Sequence, residues 1–270
     1  MPMATLSELL ADLDDEFAGL RRLVAPLSAQ APEWDRPTPA EGWSVRDQIS
    51  HLAFFDDAGH QALADPEAFA TEAERAMATG GDPMEAHLLR GRSMDGDELL
   101  AWWDRAHHGM VEAFTDAEPT ARLPWYGPPM GVLSFLSARL METWAHGQDV
   151  ADALGAPWAA TDRLRHIAHL GVRTRPFSYV VRGRHLPAGR IDVVLTAPSG
   201  ERWEWTVGET EAGQPVSRVA GPALDFCLVV TQRRHRSDTA LRAEGDAAVE
   251  WLSLAQAFAG PPGPGRPPTG

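Results

Sequence analysis

The sequence contains no lysine and no asparagine, so all 24 of its basic residues are arginine. Without lysine there is no Schiff-base chemistry and no phosphate loop of the Walker type, because both need that amine. Lysine and asparagine share codons beginning AA, and isoleucine occurs only at Ile49, Ile167 and Ile191. Together these scarcities point to a strongly GC-rich genome of the kind common in actinobacteria. The single cysteine, Cys227, excludes an internal disulfide framework and suits a reducing compartment. It lies in the apolar run 226–230, where a thiol is expected to be buried and inert. No apolar stretch approaches the ~20 residues that span a bilayer. The start of the chain is acidic (Asp12, Asp14, Asp15, Glu16) and has no basic-then-apolar signal pattern. The expected location is therefore the cytoplasm. A net charge of −14 argues against nucleic acid and anionic membranes as partners, since both repel an acidic surface.

What remains has a globular composition, 44% hydrophobic and 23% charged, which excludes general disorder. Leu6, Leu9, Leu10, Leu13, Phe17, Leu20, Leu23, Val24 and Leu27 recur at gaps of three and four, which predicts an amphipathic first helix. Ser44 with Asp47 three residues later reads as a capping box opening a second helix through His51 to about Ala64. An irregular stretch with Gly80, Gly81 and Pro83 is expected next. Asp95 or Asp97 starts a third helix with Leu99, Trp102, Trp103, Ala106, Met110 and Phe114 as its apolar stripe. A fourth is expected from Val132 to Leu154, stopped by Gly155 and Pro157. With no strand pattern among them, residues 1–157 are expected to form an all-α four-helix bundle.

The pattern then changes. A short helix is expected over 162–172. Ile191, Val193 and Leu195 alternate with polar residues, as do Trp203, Trp205 and Val207, giving two half-buried strands joined at Pro198-Ser199-Gly200. The run 226–230 is expected to be a buried strand and 246–258 a closing helix. Residues 160–260 thus read as a small α+β domain, and the Pro/Gly-rich tail 261–270 as disordered.

Glu142 and His146 are four apart in the fourth helix, so both project from one face and can reach the same cation. His51, among Ile49, Leu52 and Phe55, can face them from the second helix. Two histidines and a glutamate leave coordination positions open, as in catalytic zinc sites. Glu–His pairs at this spacing are also common on solvated helix faces, and a lone histidine is often bonded to a carbonyl; spacing alone leaves these alternatives open. His60 lies about 180° round the helix from His51. His107 and His108 are expected at the surface.

The run Trp34-Asp35-Arg36-Pro37 followed by Gly42-Trp43-Ser44-Val45-Arg46-Asp47-Gln48-Ile49-Ser50-His51-Leu52 resembles the opening of the second helix in the DinB-like family, in particular its mycothiol-dependent maleylpyruvate isomerase branch. Glu142-Thr143-Trp144-Ala145-His146-Gly147-Gln148-Asp149-Val150 is similar to that family's Glu-x-x-x-His-Gly-x-Asp motif. The resemblance implies a DinB-like bundle, a divalent metal, expected to be zinc, held by His51, Glu142 and His146, and a small α+β second domain of sterol-carrier-like fold. In that second domain the branch has an apolar strand ending in Arg and a later Gly-Asp. Leu228-Val229-Val230-Thr231-Gln232-Arg233 and Gly245-Asp246 match, although the usual Trp-Gly before the arginine is absent. Arg233 is thus the candidate catalytic arginine, with Arg234 and Arg236 as competitors and a surface basic cluster as the alternative.

The implied function is activation of a low-molecular-weight thiol such as mycothiol, used in isomerisation or thiol transfer on a small-molecule substrate, by a monomer or small homo-oligomer. A thiol-independent metal enzyme using bound water, as a hydrolase or lyase, is one alternative. A non-catalytic metal- or small-molecule-binding protein is the other.

Overall fold

The computed structural model describes residues 4–78, 83–209 and 216–269. The chain is helix-rich with a small sheet, and it divides into two compact units, Ala4–Trp158 and the residues from Ala159 onward.

In the first unit the four long helices are α1 (Leu6–Val24), α2 (Val45–Ala64), α5 (Gly96–Thr115) and α6 (Val132–Leu154). Thr5 with Glu8, Ser44 with Asp47 and Asp95 with Glu98 form reciprocal capping boxes that start three of them. Each such cap satisfies orphan backbone donors and is worth about 1 kcal/mol. Gly155, at φ +65°, ends α6 in the left-handed conformation that favours glycine. α1 packs on α5 and α6, and α2 packs on the same two helices. Their apolar stripes meet in a core that includes Leu20, Trp34, Ile49, Leu52, Leu99 and Trp103.

The stretch expected to be irregular instead holds two helices, α3 (Pro66–Ala78) and α4 (Pro83–Arg92), both packed on α2. Each begins with a proline. At the first helical position, as at Pro66, proline's missing N–H costs nothing and its fixed φ favours the helix. Gly80 and Gly81 lie outside the described residues. A further departure is a two-residue antiparallel ladder, β1 (Arg122–Leu123) with β2 (Met130–Gly131), closing the proline-rich connection before α6.

The second unit comprises α7 (Leu164–Arg173), α8 (Arg175–Val180), β3 (Ile191–Thr196), β4 (Arg202–Val207), β5 (Ser217–Pro222), α9 (Ala223–Val230), β6 (Arg242–Glu244) and α10 (Asp246–Leu254). The sheet order is β4-β3-β5-β6, with β3–β4 and β5–β6 antiparallel and β3–β5 parallel. Ile191, Val193 and Leu195 alternate inward as their spacing requires, and the 198–200 turn carries Gly200 at φ +90°. The run 226–230 is not a strand. It is the end of α9, whose Phe226, Cys227 and Val230 are fully buried. An apolar run buried all round has no periodicity to separate strand from helix, and β5, unforeseen in the sequence, fills the sheet position instead. α10 stops at Leu254, short of the expected 258, and Ala255, Gln256 and Ala257 after it are buried without helix. Residues 259–269 have neither helix nor strand and are mostly exposed, with the Thr269 amide donating to the Asp238 carboxylate. Among the described residues no helix is long and apolar enough to cross a membrane.

Candidate metal centre

The Gly-Trp-Ser run acts as one local device. The loop before α2 is closed by the Thr38 amide on the Trp43 carbonyl (2.8 Å) and the Val45 amide on the Arg36 carbonyl (3.1 Å). Gly42 takes the tight turn at φ +78°, and Ser44 caps α2. Between them Trp43 is laid nearly parallel to the His146 ring, with centroids 5.7 Å apart, and 5.2 Å from that of His51. The glycine after His146 is explained by packing: a Cβ on Gly147 would fall 2.4 Å from the Trp158 indole.

α2 and α6 bring His51, Glu142 and His146 together, so the three residues singled out from spacing converge in space. One ligand atom from each lies within 4.8 Å of the other two. Glu142 Oε2 is 3.0 Å from His146 Nε2 and 3.3 Å from His51 Nε2. Tetrahedral zinc bound at about 2.0–2.2 Å sets its ligands about 3.3–3.6 Å apart, close to the two distances from Glu142. Both histidines are buried, and Glu142 is the more open member.

Electrostatics fit the same chemistry. Burial, then the neighbouring His146, pulls His51 down to about 3, so its imidazole is neutral at physiological pH, the form that ligates metals. Burial would raise Glu142, but hydrogen bonds from His146 and His51 outweigh it and hold the carboxyl well below its usual range. The Gln48 amide donates to Thr38 Oγ1 at 2.8 Å, which turns its carbonyl oxygen onto His146 Nδ1. A carbonyl only accepts, so Nδ1 carries a proton and Nε2 is the nitrogen turned to Glu142. His51 Nδ1 is buried with no hydrogen-bond partner, a sign that the polar set is incomplete as it stands.

Sequence reasoning passed over Gln48, although it lies three residues before His51 on the same helix face. It also passed over His87, which sits on α4 in the stretch read as irregular; its ring is 5.5 Å from that of His51 and stacked on Phe54 at 4.7 Å. His107 is corrected outright: it is 1% exposed, not a surface residue, stacked on Phe17 at 3.8 Å and set between Asp14 and Asp56. His60 and His108 are exposed. Arg233 belongs to the second unit, in the turn after α9, where its Nη1 donates to the Thr231 carbonyl at 2.7 Å. Arg234 and Arg236 line a cavity of that same unit, and Arg233 is not among its lining residues.

The chain is helix-rich, and two buried histidines and a glutamate on its long helices form a group that could hold a metal ion. The chain belongs to the family described as the mycothiol maleylpyruvate isomerase N-terminal domain, which matches residues 13–151. It is 45% identical over 265 residues to the uncharacterized protein MT0041 of Mycobacterium tuberculosis, covering 98% of this chain and 100% of the relative. Among solved structures it is similar in fold to the mycothiol-dependent maleylpyruvate isomerase and to a mutant of that protein. Each matches with TM-score 0.57 and 17% identity, over 90% of this chain and 95% of the other.

Proposed function

We propose that this protein is a metal- and thiol-dependent enzyme, an isomerase or thiol transferase, whose first unit is a DinB-like four-helix bundle holding zinc through His51, Glu142 and His146. The observation that carries the reading is the Glu142 carboxylate facing two imidazole nitrogens, with the His146 tautomer set by Gln48. When bound there, the metal supplies a Lewis acid that stabilises a thiolate at neutral pH.

The chain's own residues do the rest. Gln48 holds the proton on His146 Nδ1 and keeps Nε2 free to bind. Trp43 and Phe55 flank the histidine rings and limit access of water to them. Membership of a family described by mycothiol chemistry favours mycothiol as the thiol, and the relative in Mycobacterium tuberculosis agrees with the source inferred from codon usage. Addition of the thiol across an activated double bond, rotation about the resulting single bond and loss of the thiol give a cis–trans isomerisation of a small-molecule substrate in the cytoplasm. Arg233 is assigned the steadying of a substrate or thiol carboxylate through a charge-assisted hydrogen bond.

Calorimetry of the zinc-loaded protein with mycothiol, in two buffers of different ionisation enthalpy, tests this reading. Binding with release of a proton near neutral pH is expected. Absence of binding at millimolar thiol, or equal binding to the metal-free protein, overturns the thiol role and leaves the water-based enzyme. Arg233→Ala should depress turnover while metal content is unchanged.

A further inference from the structure

The connection from α5 to α6 carries Pro124-Trp125-Tyr126 and then Pro128-Pro129, and the β1–β2 ladder pairs Leu123 with Met130 across it. The fixed φ of the prolines and that ladder hold the two aromatic residues in place. Trp125 stacks on Phe69 of α3 at 5.7 Å and meets Phe135 of α6 edge-on at 5.0 Å. Tyr126 packs edge-on against Trp125 at 5.3 Å. Phe55 of α2 lies 6.0 Å from the Trp125 ring and 5.9 Å from that of Tyr126, and its ring is 4.6 Å from that of His51. Phe54 meets Phe55 at 5.1 Å and Tyr126 at 6.5 Å. A run of ring contacts thus leads without a break from His51 to Tyr126.

Rings that served only to fill a core would be closed to water. Phe69 and Phe135 are, at 2% and 1% exposure, but Phe54, Phe55, Trp125 and Tyr126 in front of them are only half-buried. Half-exposed aromatic surface that adjoins a reactive centre is the kind an apolar ligand covers, and ring faces favour a flat ligand over a compact aliphatic one. The wall offers little to a carboxylate. The guanidinium that meets it, Arg139 over Phe55 at 5.9 Å, is bound to Asp56. Its polar point is the Tyr126 hydroxyl. Burial, then the Glu72 charge, raises that phenol to about 12, so it keeps its proton at physiological pH and can donate. Among the described residues no hydrogen bond engages it. A double bond activated toward a thiol is conjugated to an electron-withdrawing group, and a carbonyl is one that such a donor recognises.

Resting on the thiol-addition reading, we propose that this wall selects the acceptor: a conjugated carbonyl compound bearing an aromatic ring, the ring laid on Phe55 and Trp125 and the carbonyl oxygen bonded by the Tyr126 hydroxyl. As sulfur bonds to the far carbon of the C=C bond, the π pair moves onto that oxygen, where the Tyr126 O–H meets the growing charge. Expulsion of the thiolate returns the pair. The probes are benzylideneacetone and ethylideneacetone, which share the enone and differ by a phenyl in place of a methyl group. Each is titrated by calorimetry into the zinc-loaded protein without thiol, so that binding is read apart from turnover. One site per chain for benzylideneacetone is expected, about tenfold tighter than for ethylideneacetone. Tyr126→Phe keeps the ring and should weaken benzylideneacetone about fivefold, with the thermal midpoint and metal content held. Trp125→Ala should weaken it about tenfold. Equal affinity for the two probes, or full affinity in Trp125→Ala, overturns the wall. Full affinity in Tyr126→Phe overturns the role of the hydroxyl. Mycothiol binding without benzylideneacetone binding overturns this inference alone, whereas the reverse result overturns the thiol reading and leaves the wall as a binding site.

Discussion

Two buried polar clusters lie a turn or so apart on the same helices, and they are finished differently. In one, Arg139 of α6 meets Asp56 of α2 at 2.9 Å and the Leu52 carbonyl at 3.2 Å. His107 of α5 lies 3.7 Å from Asp56 and 3.1 Å from Asp14 of α1, so each of the four long helices contributes one member. Burial would raise Asp56, but the Arg139 charge and His107 outweigh it and keep the carboxyl low. The other cluster, His51, Glu142 and His146, feels Arg139 only at a distance, through its effect on His51, and among the described ion pairs no arginine bonds to Glu142. It has instead a carboxylate shared by two imidazoles, one of which keeps a buried nitrogen, His51 Nδ1, without a partner. Burial of charge by itself therefore does not mark a site. A saturated cluster ties helices together, whereas the proposed function of the other is to hold a cation.

The sharpest way to break that comparison is Arg139→Ala. Removing one partner of a buried pair leaves Asp56 uncompensated, and a loss of about 3–5 kcal/mol in unfolding free energy is expected by denaturant titration. Replacing both members, Asp56→Leu with Arg139→Met, should recover much of that loss. If Arg139→Ala alone is neutral, the cluster is not a tie.

For the open cluster the order reverses, with metal affected more than fold. His51→Ala, Glu142→Ala and His146→Ala should each strip most of the metal as measured by elemental analysis, because three ligands leave no redundancy. Full metal occupancy in all three variants would place the site elsewhere. The metal-free variants should stay within about 1–2 kcal/mol of the metal-free parent, since no ion pair of the Arg139 kind is broken.

Gln48→Leu probes the shell behind the ligands. Loss of the acceptor that fixes the His146 tautomer should lower metal affinity about 10–100-fold with the protein still folded, read by competition with a chelator. An unchanged affinity would show that the tautomer is set by something other than Gln48.

The smallest expected effect is a pH dependence. The folded value of His51, about 3, lies below the ordinary 6.5, so between those limits the unfolded chain binds more protons than the folded one. Stability of the metal-free protein is thus fully present above pH 6.5 and falls as pH drops toward about 3. His51→Gln should flatten that slope without abolishing it, because the lowered carboxyls of Asp56 and Glu142 lose their own stabilisation further down. An identical slope in the variant would mean that His51 is protonated in the fold.

Much of the first unit could be read from residue order. The capping box at Ser44, the start of α5 at Asp95 or Asp97 and the three- and four-residue gaps of α1 and α5 depend on neighbours a turn away, so local sequence carries them. The choice of Asp95, with Glu98 completing its cap, came from the structure. The same is true of Glu142 and His146, whose shared face follows from helix pitch. Where the reading failed, the deciding partner was distant. His107 looks like a surface residue until Asp14 and Asp56, 93 and 51 positions away by number, enclose it. The stretch with Pro83 reads as irregular until its helices find α2 to pack on.

The sequence by itself determined the long helices, their caps and the pairing of Glu142 with His146, because each is an interaction across one or two turns of backbone. Only the tertiary structure decided that His51 meets that pair, that Gln48 sets the His146 tautomer, that 226–230 coils as a helix beside a strand supplied by 217–222, and that Trp125 and Tyr126 join Phe55 beside His51. The physical reason is range. Backbone hydrogen bonds and helix pitch act within a few residues, whereas burial, charge pairing and the orientation of a ring are fixed by whatever the fold brings alongside.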